Sequence, residues 1–453
     1  VPHTHDAERR ALLKALFLGA ATLAPAWNAL ARTADARELS IVPGPLSGVG
    51  PLTDSGVDGI RIPAGFSLRA VARKGFNPVN GNFDPFGLGG YAWHKAPDGG
   101  ACFALPDGGW VYVSNCESKS VGGVGALRFA ADGRIVDAYR ILDGTRRNCA
   151  GGPTPWGTWL SCEEMRDGGV FECDPLGTPA DARPLPALGR FNHEAAAVDL
   201  PTRSVFLSED ASDGRLYRFL ADPADLTPDG RRLRLERGRL QVLDIKGYEN
   251  GGYEPRHAAM RHLHAARWVD APEPESAQAL VRERQAREYR AVPGSVFRCA
   301  EGLWIHTVPE ALRQVPPGGR VPSRAFLFVA CKADNRVYAY DIDNGLIETV
   351  FDRESAELAV DDVDNLVVSP AGDVIVTEDG DATRLVVVVP NRPARVLLQA
   401  DHVGSELTGP AFSPDGSRLY FSSQRGPNLP WRKRGSGVTY ELTIPATHRR
   451  RPA

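Results

Sequence analysis

Apolar and polar residues alternate along much of the chain at the period of two that marks half-buried strands. Gly125-Ala126-Leu127-Arg128-Phe129 and Arg336-Val337-Tyr338-Ala339-Tyr340-Asp341 are clear cases. A larger unit recurs from about residue 101 onward. Its form is an apolar lead, a turn with Gly or Pro, a β-rich strand, then a polar or acidic tail. Phe103 to Val113 runs into Ser114-Asn115-Cys116-Glu117, and Trp156 to Leu160 into Ser161-Cys162-Glu163-Glu164. Ala195 to Leu207 runs into Ser208-Glu209-Asp210, and Phe326 to Val329 into Ala330-Cys331-Lys332. Leu366 to Val376 ends in Thr377-Glu378-Asp379, and Ala411 to Phe421 in Ser422-Ser423-Gln424. Successive units lie roughly 45 residues apart except across one gap, the period of a four-stranded propeller blade. The six units predict an all-β chain: a six-bladed β-propeller with an inserted, partly helical segment, favoured over a β-sandwich with a second domain.

The expected layout is an N-terminal export signal over 1–31, disordered in the folded protein, and an extended leader over 32–58. A single propeller domain over 59–445 and a basic tail over 446–453 complete it. The insertion falls at about 246–293, where Ala277 to Tyr289 has a helical composition. It carries His257, His262 and His264, of which His262 and His264 could be ligands but are expected to be partly exposed and satisfied by neighbours. Equivalent strands of a propeller point the same way around the central channel, so the polar tails gather at one mouth. Glu163, Glu164, Glu209, Asp210, Glu378 and Asp379 are expected there. Carboxylates brought together repel unless cations or protons neutralise them, and a metal cluster follows more naturally than a bare acidic ring.

Charge narrows the class. With 53 basic and 56 acidic residues no strong field points toward nucleic acid. The 47 glycines and 36 prolines suit many short strands joined by turns. Arg9-Arg10-Ala11-Leu12-Leu13-Lys14, an apolar run from Ala15 to Ala26 and Ala29-Leu30-Ala31 read as a twin-arginine export signal with its cleavage site. The expected address is periplasmic or extracellular, reached in folded form through the twin-arginine export machinery, as a monomer with no stable membrane anchor. The 7 cysteines leave at least one unpaired, and the absence of a CxxC pair argues against a structural zinc site.

The densest chemistry lies between Asn148 and Glu164. Cys149 is followed by two glycines and two prolines, then by a short strand from Trp156 to Cys162 that ends on Glu163 and Glu164. A soft thiolate near hard carboxylates suits a mixed metal site. A tight turn with Cys149 as a small core residue is the other reading of the same residues.

The run Asn148 to Glu164 closely resembles the signature of the PhoX family of secreted bacterial alkaline phosphatases. Gly189-Arg190-Phe191-Asn192-His193-Glu194, Glu301-Gly302-Leu303-Trp304, Asp364-Asn365-Leu366 with Glu378-Asp379-Gly380, and Thr408 to Gly416 also resemble that family. The resemblance implies a six-bladed propeller carrying iron and calcium that hydrolyses phosphate monoesters. It implies Cys149 as the iron thiolate, Glu194 and Glu301 as bridging or iron-bound carboxylates, and Glu164, Asp210 and Glu378 on the calcium side. His193 takes a structural role. The family commonly has an arginine close before its Glu-Gly pair; here Arg298 precedes Glu301 at a spacing of its own and is the candidate phosphate contact. The rival readings are a calcium-dependent propeller hydrolase of the lactonase type, in which Cys149 is idle, and a binding propeller without catalysis.

Overall fold

The structure is a computed structural model that describes residues 39, 41–249, 263–354, 356–380, 382–390, 392–427 and 437–449. The expected export signal, His257, His262 and the last residues of the basic tail lie outside the described residues.

Six four-stranded antiparallel units follow one another as the sequence period predicts. Their innermost strands are Pro97–Ala104, Asn148–Pro153, His193–Asp199, Ala300–Thr307, Val363–Val368 and Leu407–Phe412, in blades 1 to 6. Each innermost strand packs beside the next, and that of blade 6 packs beside that of blade 1, so the ring is closed. Closure uses a strand from the other end of the chain. Ser67–Arg73 pairs with Val438–Thr443 and becomes the outermost strand of blade 6.

The second strand of each blade explains why its sequence reads as a nearly continuous apolar run. Trp110–Cys116 and Ala325–Cys331 are buried along their whole length. Each is covered on both faces by neighbouring blades, as strands inside stacked sheets must be. Val367, Ile375, Leu385 and Val387 of blade 5 pack in one cluster with Leu419, Phe421, Tyr440 and Leu442 of blade 6. Phe326, Phe328 and Val337 of blade 4 meet Val363, Val374 and Val376 of blade 5 in another.

Two regions differ from the sequence expectation. Leu52–Val57, expected within the extended leader, pairs with Ile60–Pro63, which in turn extends the sheet of blade 5. Buried Leu46 anchors this segment to the same core. Within the insertion, His264–Asp270 is a strand that pairs with Gly238–Ile245 of blade 3 and, through His264 and Ala265, with blade 4. The helix spans Gln278–Arg287 and buries Val281 and Arg282. Arg282 hydrogen-bonds Glu209, Asp213 and the Tyr217 hydroxyl, tying the insertion to blade 3.

Candidate metal centre

Every innermost strand begins with the same irregularity. Pairing with the second strand is interrupted between Pro97 and Gly100, Asn148 and Gly151, His193 and Ala196, Ala300 and Leu303, Val363 and Leu366, and Thr408 and Ala411. Such a bulge re-aims a side chain out of the regular alternation. The residue just inside it is Asp98, Cys149, Glu194, Glu301, Asp364 or Gly409 in blades 1 to 6. Five blades therefore place a metal-binding side chain at one equivalent position. The sixth has no room for one: Gly409 sits at φ +57°, and a Cβ there would lie 2.3 Å from the carbonyl oxygen of Asp98.

A second ring follows the end of each second strand. Cys116, Glu163, Glu209, Cys331, Glu378 and Ser423 pair opposite the start of the innermost strands. The next residues are Glu117, Glu164, Asp210, Lys332, Asp379 and Gln424. Successive strand residues face opposite ways, so only one member of each adjacent acidic pair reaches the channel mouth. Glu163 instead accepts the backbone N–H groups of Arg146 and Gly169 at 3.1 and 3.3 Å. Glu209 holds Arg282 at 2.8 Å. Glu378, expected as a calcium-side ligand, accepts from Arg384 at 2.6 Å and from the Asp361 N–H at 2.9 Å. Its charge is spent on that guanidinium, and of the two adjacent acids it is Asp379 that faces the mouth.

At the mouth, ligand atoms of Glu194, Glu301 and Asp364 lie within 4.8 Å of one another, as do those of Asp364, Asp379 and Glu406. Among the described residues, both carboxylate oxygens of Glu194 and Oε1 of Glu301 are buried without a hydrogen-bond partner. Buried carboxylates without partners are costly and demand a cation or a proton. Burial first, and Asp364, Asp98 and Glu164 among the surrounding acids next, push Glu194 well above the carboxylate range. Burial, Asp364 and Asp210 do the same to Glu301. Glu164 is raised to about 7 by burial and by Asp210 and Glu117, against the pull of Arg147 at 3.4 Å. Asp98, Glu117 and Asp210 are also raised, mainly by burial. Gln424 restrains the first two through hydrogen bonds of 2.8 Å to Asp98 and 3.0 Å to Glu117.

Cys149 lies within electrostatic reach of these acids. Burial raises its thiol, and the negative charges of Asp98, Glu194, Glu117 and Glu164 raise it further, although its sulfur is not among the ligand atoms that lie within 4.8 Å of one another in either carboxylate group of the described residues. Asn115 fixes its backbone, donating to the carbonyls of Cys149 at 3.1 Å and Ala150 at 2.6 Å. Trp159 and Ser161 hold Asn115 in turn, at 2.9 and 3.0 Å. His193 is buried, stacks on Phe191 with ring centroids 3.6 Å apart, and faces the Gly189 carbonyl at 3.2 Å. Arg298, the candidate phosphate contact, has its guanidinium 4.0 Å from the buried carboxylate of Asp334. All seven cysteines are unpaired.

The structure thus brings Glu194 and Glu301 to ligand distance of each other, sets Cys149, Glu164 and Asp210 within electrostatic reach of them, and leaves Glu378 outside. It keeps Asp379, already expected at the mouth, and adds Asp98, Glu117, Asp364, Glu406 and Lys332. A signal for some of these was present: Cys149 and Glu164, Asp364 and Asp379, and Gly409 and Gln424 share one spacing. Glu406 carries no such mark, because it reaches the group from the turn before its strand. Below the mouth the channel leaves about 30 Å³ between Gly99, Ala150, Ala195, Gly302, Asn365 and Pro410. That is room for water but not for an ester, so any substrate enters from the rim.

A family model described as alkaline phosphatase PhoX matches residues 121–313. No curated protein sequence matches the chain. Among solved structures, the Pseudomonas fluorescens PhoX in complex with vanadate, a transition state analogue, aligns with TM-score 0.64 at 17% identity. The alignment covers 90% of this chain and 98% of that one. XC5397 from Xanthomonas campestris, a gluconolactonase, aligns with TM-score 0.42 at 13% identity over 88% of this chain and 98% of that one.

Proposed function

We propose that this chain, which resembles the PhoX alkaline phosphatases in family match and in fold, hydrolyses phosphate monoesters at the mouth of its propeller. The observation that carries the reading is the buried Glu194 carboxylate, without a hydrogen-bond partner among the described residues, beside Glu301 and Asp364 and within electrostatic reach of Cys149. Such a set calls for metal. A thiolate suits iron and the remaining oxygens suit calcium, which is the mixture the family resemblance implies. Cys149, Glu194 and Glu301 would hold iron. Glu164 and Asp210, with Asp98, Glu117 and Asp364 added by the geometry, would hold calcium. When bound, such ions neutralise phosphoryl oxygens and lower the pKa of the attacking water.

The chain's own residues do the positioning. Asn115 and Gln424 lock the Cys149 strand and the Asp98–Glu117 pair, as hydrogen bonds behind metal ligands do. Arg147, a third exposed beside Glu164, and Arg298 offer positive charge at the rim for the phosphoryl group of the ester. The narrow channel floor keeps the leaving group on the solvent side. Among the described residues no helix is long and apolar enough to cross a membrane. A working place outside the cytoplasm, reached by twin-arginine export, follows from the N-terminal reading.

The test is elemental analysis of the purified protein together with p-nitrophenyl phosphate hydrolysis before and after chelation. Bound iron and calcium, with hydrolysis lost on chelation and restored by the metals, is expected. Metal-replete protein without phosphatase activity would sink the reading.

A further inference from the structure

The two carboxylate groups at the mouth share Asp364 but differ in how their charge is met. In the first, Glu194 and Oε1 of Glu301 have no hydrogen-bond partner among the described residues. In the second, each of the two remaining acids already has a cationic partner from the chain itself. Asp379 is 2.6 Å from Nζ of Lys332, and Glu406 is 3.0 Å from Arg425. The same Lys332 ammonium lies 2.9 Å from Asp364 and 4.0 Å from Glu301.

Lys332 holds the second-ring position that carries a carboxylate or an amide in every other blade. Its backbone N–H donates to the Cys299 carbonyl at 2.9 Å, which fixes the root of the side chain on blade 4. An ammonium is a compact point charge with three donors, and a small cluster of oxygens meets it much as it would meet a metal ion. We infer that Lys332 is a tethered cation filling the Asp364–Asp379–Glu406 group, so that no ion binds between those three carboxylates and the metals of this chain are held by the other ligands of the mouth. The inference rests on reading the mouth as a metal centre. It makes Lys332 a positioning residue, which fixes how many ions bind and where.

The experiment is a count of Ca²⁺ per chain by equilibrium dialysis of chelator-stripped and iron-reconstituted full-length protein. Removal of the ammonium in Lys332→Ala opens the second group, and about one further Ca²⁺ per chain is expected. Adding Asp379→Asn to that variant should remove the extra ion. Asp379→Asn alone should leave the wild-type count unchanged, and it keeps the inference testable if Lys332→Ala does not fold. An unchanged or lower count in folded Lys332→Ala, or one Ca²⁺ fewer in Asp379→Asn, would overturn the inference. The ion count is independent of ester hydrolysis, so an inactive protein that gives the expected counts would sink the phosphatase reading alone.

Discussion

Adjacent acids in this chain have opposite fates, and the difference is one step of strand alternation. Glu164, Asp210 and Asp379 face the mouth, while Glu163, Glu209 and Glu378 are consumed by backbone N–H groups or by an arginine. The chemistry at residue scale therefore depends on few side chains. Replacing the Cys149 thiol by a hydroxyl removes the soft ligand and leaves a weaker, harder one. Cys149→Ser should lose iron and lower phosphatase activity by about 100-fold or more; retention of iron and near-full activity would point to an idle cysteine. The carboxylates set a pH dependence whose sign follows from their shifts. In the metal-free protein Glu164 is raised from 4.5 to about 7, and Glu194 and Glu301 move the same way. A raised carboxylate contributes full stability below its unfolded pKa and loses it as pH rises through the folded value. The melting temperature of metal-free protein should thus fall as pH rises from 4.5 to about 7, and bound metal should reverse the trend. A flat profile for the metal-free protein would contradict this assignment.

At the scale of the element, the bulge that opens each innermost strand is the device that builds the site. It lifts one residue per blade out of the ladder and aims it at the channel. The blade 6 bulge carries glycine because the ring is too tight for a side chain beside the Asp98 carbonyl. Gly409→Ala combines positive φ with that clash and should cost about 2 kcal/mol or more, read as a lower urea midpoint with an unchanged slope. An unchanged midpoint would mean the blade shifts freely. Little of this was visible in the sequence. The strand periodicity and the acidic tails were, since side chains dictate both. A bulge depends on how two strands pair, and Asn148-Cys149-Ala150 and Val363-Asp364-Asn365 have no common residue type to announce it.

At the scale of the whole molecule, the ring is held by Ser67–Arg73 completing blade 6. A chain that begins after that strand, lacking Ser67–Arg73, leaves Val438–Thr443 with an open edge and the ring unclosed. Such protein should fail to give the cooperative thermal transition of the full chain, and an unaltered transition would show that closure lies elsewhere. Recurrence of a strand-and-tail unit was enough to establish the all-β class and the six blades, because each blade must bury both faces and so repeats the same apolar pattern. Cys149, Glu194 and Glu301 became candidates through the family resemblance of short runs, and the structure brings the two glutamates together. Folding alone decided that Asp379 and not Glu378 reaches the mouth, that Asp98, Asp364 and Glu406 join it, and that Lys332 stands among them. Alternation states that neighbours face opposite ways, but which way is inward depends on register and on blades far apart in the chain.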